Sequence, residues 1–196
     1  MINDLLKKTF LVGFTLILVS SCRSKNDFVI TDDYVDKELG IKPGKDGKQV
    51  TLTETEKKYF ALKLEVMPSE INNDRLYSFV KRWEGQTHNP DDKKKSVNDV
   101  YVTKQLYSFV YNKKLSGLPA DMVTDKKIEL FKATENLKEG DLLFFRLNDD
   151  DIISHVGVYL KNNRFFSAIQ GDDAEIFNLK KDYWKNNFVT AGRYKQ

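Results

Sequence analysis

Apolar positions recur at helical spacing in the first half of the chain and at strand spacing in the second. Leu76, Phe79, Val80 and Trp83 fall at i, i+3, i+4 and i+7, the stripe of an amphipathic helix. That helix is predicted to start near Asn73 and to end at Gly85. An earlier helix is predicted over Thr53 to Val66, with Phe60 and Leu64 turned inward. Thr53 and Glu56 have capping-box spacing at its start, and Pro68 closes it. A third is predicted over Asp99 to Tyr111, where Val102, Leu106, Phe109 and Val110 repeat the spacing and Asn98 or Asp99 serves as N-cap.

Beyond Leu118-Pro119 the period changes. Val123 to Lys132 reads as weakly helical or extended. Leu142 to Phe145 is an apolar run of strand length, and Asn148 to Asp151 is a polar break. Val156 to Leu160 is β-branched and aromatic, and Arg164 to Ala168 is a return strand. Lys161-Asn162-Asn163 between them is a hairpin turn, because asparagine tolerates positive φ. The tail from Glu175 to Tyr194 reads as further strand material around one helical turn. Helices first and strands after predict an α+β domain, with N-terminal helices packed on a small antiparallel sheet. His155 stands at a strand entrance, close to Gly157, whose missing side chain lets another group approach.

The first 21 residues break this pattern. Lys7 and Lys8 precede an apolar run from Thr9 to Val19, short for a membrane span and of signal-peptide length. The run ends in Val19-Ser20-Ser21-Cys22, which resembles a bacterial lipobox. The resemblance implies lipidation at Cys22 and attachment to a membrane of the cell envelope. Arg23 after the cysteine, in place of Asp, favours an outer membrane. The expected organisation is a signal peptide over 1–21, a tether over 22–50 rich in turn pairs such as Pro43-Gly44 and Asp46-Gly47, and one domain over 51–196. Cys22 is the single cysteine, so once it carries lipid the domain has no thiol, disulfide or cysteine metal site.

Charge narrows the partners. Among 196 residues the net charge is +3, too small to argue for nucleic acid. Lys93-Lys94-Lys95 is the only dense basic run and reads as a solvated loop. His88 could join His155 and Asp91 or Asp92 around zinc, but no tight spacing such as His-x₃-His is present. No metal or other cofactor is therefore expected.

Gly140-Asp141-Leu142-Leu143-Phe144-Phe145, Ser154-His155-Val156-Gly157-Val158-Tyr159 and Arg164 to Ala168 resemble the second half of an NlpC-type peptidase domain. Trp83-Glu84-Gly85 and Leu118-Pro119 extend the resemblance over about residues 70–195. It implies a papain-like fold and cleavage of cell-wall peptide stems. It also implies a cysteine nucleophile at a helix start, a histidine base and a third polar residue that orients the imidazole. His155 matches the base. Around the helix start the chain reads Asp99-Val100-Tyr101-Val102-Thr103-Lys104-Gln105-Leu106. Counting back from Leu118 puts the nucleophile position at Val102; matching Leu106, Val110 and Tyr111 puts it at Thr103. Neither is cysteine. The third position is Ser167, a shorter partner than an imidazole.

These residues predict a catalytically inactive relative, lipid-anchored in the envelope, that binds cell-wall peptide or a protein partner. His88, Tyr101 and Ser154 are its candidate binding residues, and Tyr159 and Phe166 are candidates either for the cleft or for the core. Two alternatives stand beside it: a peptidoglycan hydrolase using Thr103 with His155, and an inhibitor or immunity-type partner of an envelope enzyme.

Overall fold

Thr53 caps helix α1 (Glu54–Leu64) as the sequence predicts: its hydroxyl accepts from the Glu56 N–H, and the Glu56 carboxylate accepts from the Thr53 N–H at 2.7 Å. The helix stops earlier than expected, at Glu65 in the left-handed region, so Pro68 opens the following turn and does not close the helix. Asn73 caps α2 (Asp74–Trp83) and Asn98 caps α3 (Asp99–Tyr111), each through its side-chain oxygen. A short α4 (Pro119–Met122) follows. The computed structural model describes residues 50–85, 98–147, 152–169 and 173–195. The expected signal peptide and tether, residues 1–49 including Cys22, together with His88, Asp91, Asp92, Lys93 to Lys95 and the 148–151 break, lie outside the described residues.

Among the described residues, six strands form one antiparallel sheet: β1 (Ile128–Phe131), β2 (Leu142–Phe145), β3 (His155–Tyr159), β4 (Arg164–Ala168), β5 (Ala174–Asn178) and β6 (Phe188–Tyr194). Helix α5 (Asp182–Asn187) precedes β6. Strand order is β1-β6-β2-β3-β4-β5. The β3–β4 turn places Asn162 and Asn163 at φ 46° and 58°, the conformation that suits asparagine there.

The sheet buries both faces, which explains why β2 is apolar at every position. Leu142 and Phe144 join Phe60, Leu64, Leu76, Phe79, Val102 and Leu106 under the helices. Leu143 and Phe145 face the other way, into a smaller core closed by Trp184 of α5. Tyr159 and Phe166 belong to these cores, and Tyr159 also borders a surface cleft beside Glu65, Lys138 and Asn162. The room at Gly157 is also used internally: a Cβ there would sit 2.6 Å from the Phe165 ring, so the close approach is made by a neighbouring strand's side chain.

The Gly-Asp turn before β2 is tied to the end of β6. Asp141, nearly fully buried, accepts two hydrogen bonds from Arg193, at 2.8 and 2.7 Å, and one from the Lys138 N–H at 2.6 Å. A bidentate guanidinium–carboxylate pair of this kind fixes orientation as well as charge. It clamps together two segments that flank the sheet centre.

Candidate functional site

β3 begins at His155 and α3 begins at Asp99, and the fold brings these two starts together. The imidazole is 4% exposed. Its Nδ1 lies 3.2 Å from Asp99 Oδ2, and its Nε2 lies 3.0 Å from Ser167 Oγ on β4. The same Asp99 oxygen accepts the Val156 N–H at 2.8 Å, and the Ser167 hydroxyl donates to the Val156 carbonyl at 2.7 Å. The ring therefore has a partner at each nitrogen, and both partners are tied to the residue that follows it.

Aromatic rings close the remaining sides. Trp184 lies 5.4 Å from the imidazole, centroid to centroid, at an interplanar angle of 33°, and Phe145 lies 5.9 Å away. Trp184 itself is held 4.9 Å from both Phe165 and Phe177. Burial removes water from the charged form of His155 and lowers its pKa from 6.5 to about 4. Burial acts on Asp99 in the opposite sense, raising it from 3.8 to about 6 even though backbone N–H groups at Val156, Val100 and Asp99 favour the carboxylate. On acidification the first proton is thus taken up by the carboxyl, and the imidazole stays neutral longer.

Asp99, His155 and Ser167 stand in the order carboxylate, imidazole, hydroxyl, the order of a serine-hydrolase triad. The resemblance ends at access. Ser167 is 0% exposed and its proton is directed at a main-chain carbonyl, so no substrate carbonyl can reach its oxygen. What the row does is tie the N-terminus of α3 to β3 and β4.

The residue facing Nδ1 is Asp99; sequence reasoning counted to Val102 or Thr103 instead. Thr103 is one turn behind Asp99, buried, and both ring nitrogens are already taken. Val102 is buried in the helix-side core. Counting back from Leu118 assumes a fixed connection after the helix, yet the chain from Asn112 to Leu118 is a loop, and loop lengths vary freely. The signal that could have found Asp99 is its place at a helix start, where a carboxylate meets free N–H groups and the positive end of the dipole. Tyr101, half-buried, packs edge-on against Trp83 at 5.8 Å. Ser154 is exposed; its Oγ accepts from the Leu147 N–H and its N–H donates to Phe145 O, which closes the turn into β3. Among the described residues no group of three or more His, Cys, Asp or Glu side chains could hold a metal ion, and no helix is long and apolar enough to cross a membrane.

A cleft of about 700 Å³ opens between α1, the end of α2 and β5. It is lined by Tyr59 and by two ion pairs, Lys63 with Glu84 and Lys81 with Glu56.

Comparison with known proteins gives a consistent result. The sequence model of the NlpC/P60 family matches residues 83–193, more than half of the chain. Murein DD-endopeptidase MepH of Escherichia coli is 41% identical over 58 residues, which cover 29% of this chain and 21% of that protein. Murein DD-endopeptidase MepS/Murein LD-carboxypeptidase of Escherichia coli is 33% identical over 79 residues, covering 39% and 41%. The chain thus spans less than half the length of either relative. Among solved structures, a protein described as similar to lipoprotein, NLP/P60 family, from Staphylococcus aureus has a TM-score of 0.53 at 21% identity, covering 62% of this chain and 41% of that one. That likeness concerns the fold.

Proposed function

Because the chain belongs to the NlpC/P60 family, we propose that it is a lipid-anchored protein of the bacterial envelope whose peptidase-like domain binds cell-wall peptide without cleaving it. The observation that carries this reading is the saturated imidazole. A general base needs one nitrogen free to take a nucleophile's proton. In His155 both nitrogens are taken, Nδ1 by the Asp99 carboxylate and Nε2 by the fully buried Ser167 hydroxyl, and the sequence offers no thiol outside Cys22. The names of the relatives support cell-wall peptide as the ligand, and the charged cleft between α1 and α2 suits it.

Muropeptides incubated with the protein and followed by mass spectrometry are expected to remain intact, while the same peptides give a saturable binding signal in calorimetry. Cleavage that disappears in Thr103→Ala and His155→Ala would overturn this reading in favour of a hydrolase. The anchor is tested separately. Cys22→Ser is expected to move the protein from the membrane fraction to the soluble fraction when membranes are washed at ~500 mM salt, which screens charge-based adsorption; continued sedimentation under that wash would remove lipidation from the proposal.

A further inference from the structure

Lysines that are scattered in the sequence converge at one end of the domain. Lys113 and Lys114 follow α3, Lys126 and Lys127 precede β1, and Lys195 follows β6. The Lys195 N–H donates to Lys127 O at 2.8 Å and its ammonium donates to Lys126 O at 2.7 Å. The Lys113 ammonium stands 5.1 Å from the Tyr194 ring centroid. Four of the five lysines are exposed and Lys113 is half-buried. Two carboxylates lie among them and offset part of this charge, Asp125 accepting from the Lys127 N–H and Asp121 from the Leu118 N–H, so five lysines face two aspartates. Leu118, 64% exposed, adds an apolar side chain in the loop between Lys114 and α4.

The same end receives the chain from its N-terminal side. The Leu52 N–H donates to Asp74 at the start of α2, and the next residue, Arg75, donates to the carbonyl of Phe109 in the last turn of α3. Lys113 follows directly after the Asn112 cap that ends this helix. Asp99 and His155 are at the opposite end of this 13-residue helix, about 20 Å away at 1.5 Å per residue.

We propose that the Lys113, Lys114, Lys126, Lys127 and Lys195 patch docks the domain on the anionic phosphate headgroups of the membrane that holds the anchor, with Leu118 at the interface. The proposal rests on the lipid-anchor reading given above. A tether that joins the domain at its basic end turns that end toward the bilayer and the His155 end toward the cell wall. Basic residues close to an anionic leaflet each strengthen adsorption severalfold, and salt weakens it.

The test uses residues 22–196 carrying Cys22→Ser, so that no lipid contributes to binding. Vesicles of phosphatidylcholine alone are compared with vesicles containing about one-third phosphatidylglycerol, at ~50 mM and ~500 mM salt. Binding is expected on the phosphatidylglycerol vesicles only, with loss at the higher salt. Changing the five lysines to glutamine should weaken it by roughly tenfold or more. A control that changes the exposed Lys58, Lys132, Lys180, Lys181 and Lys185 to glutamine, with the same net charge, should retain it. Equal loss in both variants, or equal binding to both vesicle types, overturns the proposal. Retention on soluble polyphosphate without retention on vesicles also overturns it and assigns the patch to a polyanionic polymer. The anchor itself is read by the fractionation of Cys22→Ser at ~500 mM salt, where adsorption through the patch is lost, so the two can fail independently.

Discussion

Asp99→Asn is expected to make stability fall by about 3 kcal/mol, relative to the parent, as pH drops from 6.5 to 4. The sign follows from the remaining histidine. Its folded pKa is depressed by burial, so its contribution is complete above pH 6.5 and is lost as pH falls toward 4. His155→Gln is expected to do the reverse. It leaves a carboxyl whose folded pKa is raised, so that contribution is complete below pH 3.8 and is lost, again by about 3 kcal/mol, as pH rises through 6. In the parent the two terms oppose each other over the same interval and largely cancel. Folded and unfolded chains each take up one proton near pH 6 and another near pH 4, but on opposite residues. Urea midpoints of the two variants between pH 4 and 7 should diverge in opposite directions from that of the parent. Three parallel curves would show that the pair is not coupled to folding in this way.

Arg193→Met should cost about 3–5 kcal/mol at neutral pH, because it leaves the Asp141 carboxylate buried with only a backbone N–H for company. The change also removes the guanidinium from the Phe131 ring, 5.0 Å away, and its bond to Asn136 O, so the charge is separated from these losses by a second substitution. Adding Asp141→Asn to Arg193→Met removes the buried charge and should recover part of the loss, a pattern that a double-mutant cycle in guanidinium resolves. A cost below about 1 kcal/mol for Arg193→Met would mean that the pair behaves as a surface salt bridge.

These two sites differ in how far they could be read from sequence. Local signals were legible: Thr53, Asn73 and Asn98 cap helices where their spacing predicts, and the Asn162-Asn163 turn and the strands on either side of it lie where the alternation puts them. His155 at the head of a strand was legible too. What stayed hidden depends on side chains meeting across the fold. Gly157 signals a close approach, but only the strand pairing tells that Phe165 makes it. Asp99 reads as a possible cap until β3 brings His155 against it. The lysine patch has no linear signature, since its members come from three segments that the sheet collects, whereas the dense run at Lys93 to Lys95 is what a sequence scan sees.

Strand order has a consequence for the timing of folding. β6 lies between β1 and β2 and is the strand that hydrogen-bonds to both. A ribosome must therefore deliver residues 188–194 before β1 can join the sheet, although β1 and β2 are neighbours in sequence. Until then the nascent chain holds an open edge on β2 and an unpaired segment at 128–131. A late, non-local closure of this kind slows folding relative to synthesis.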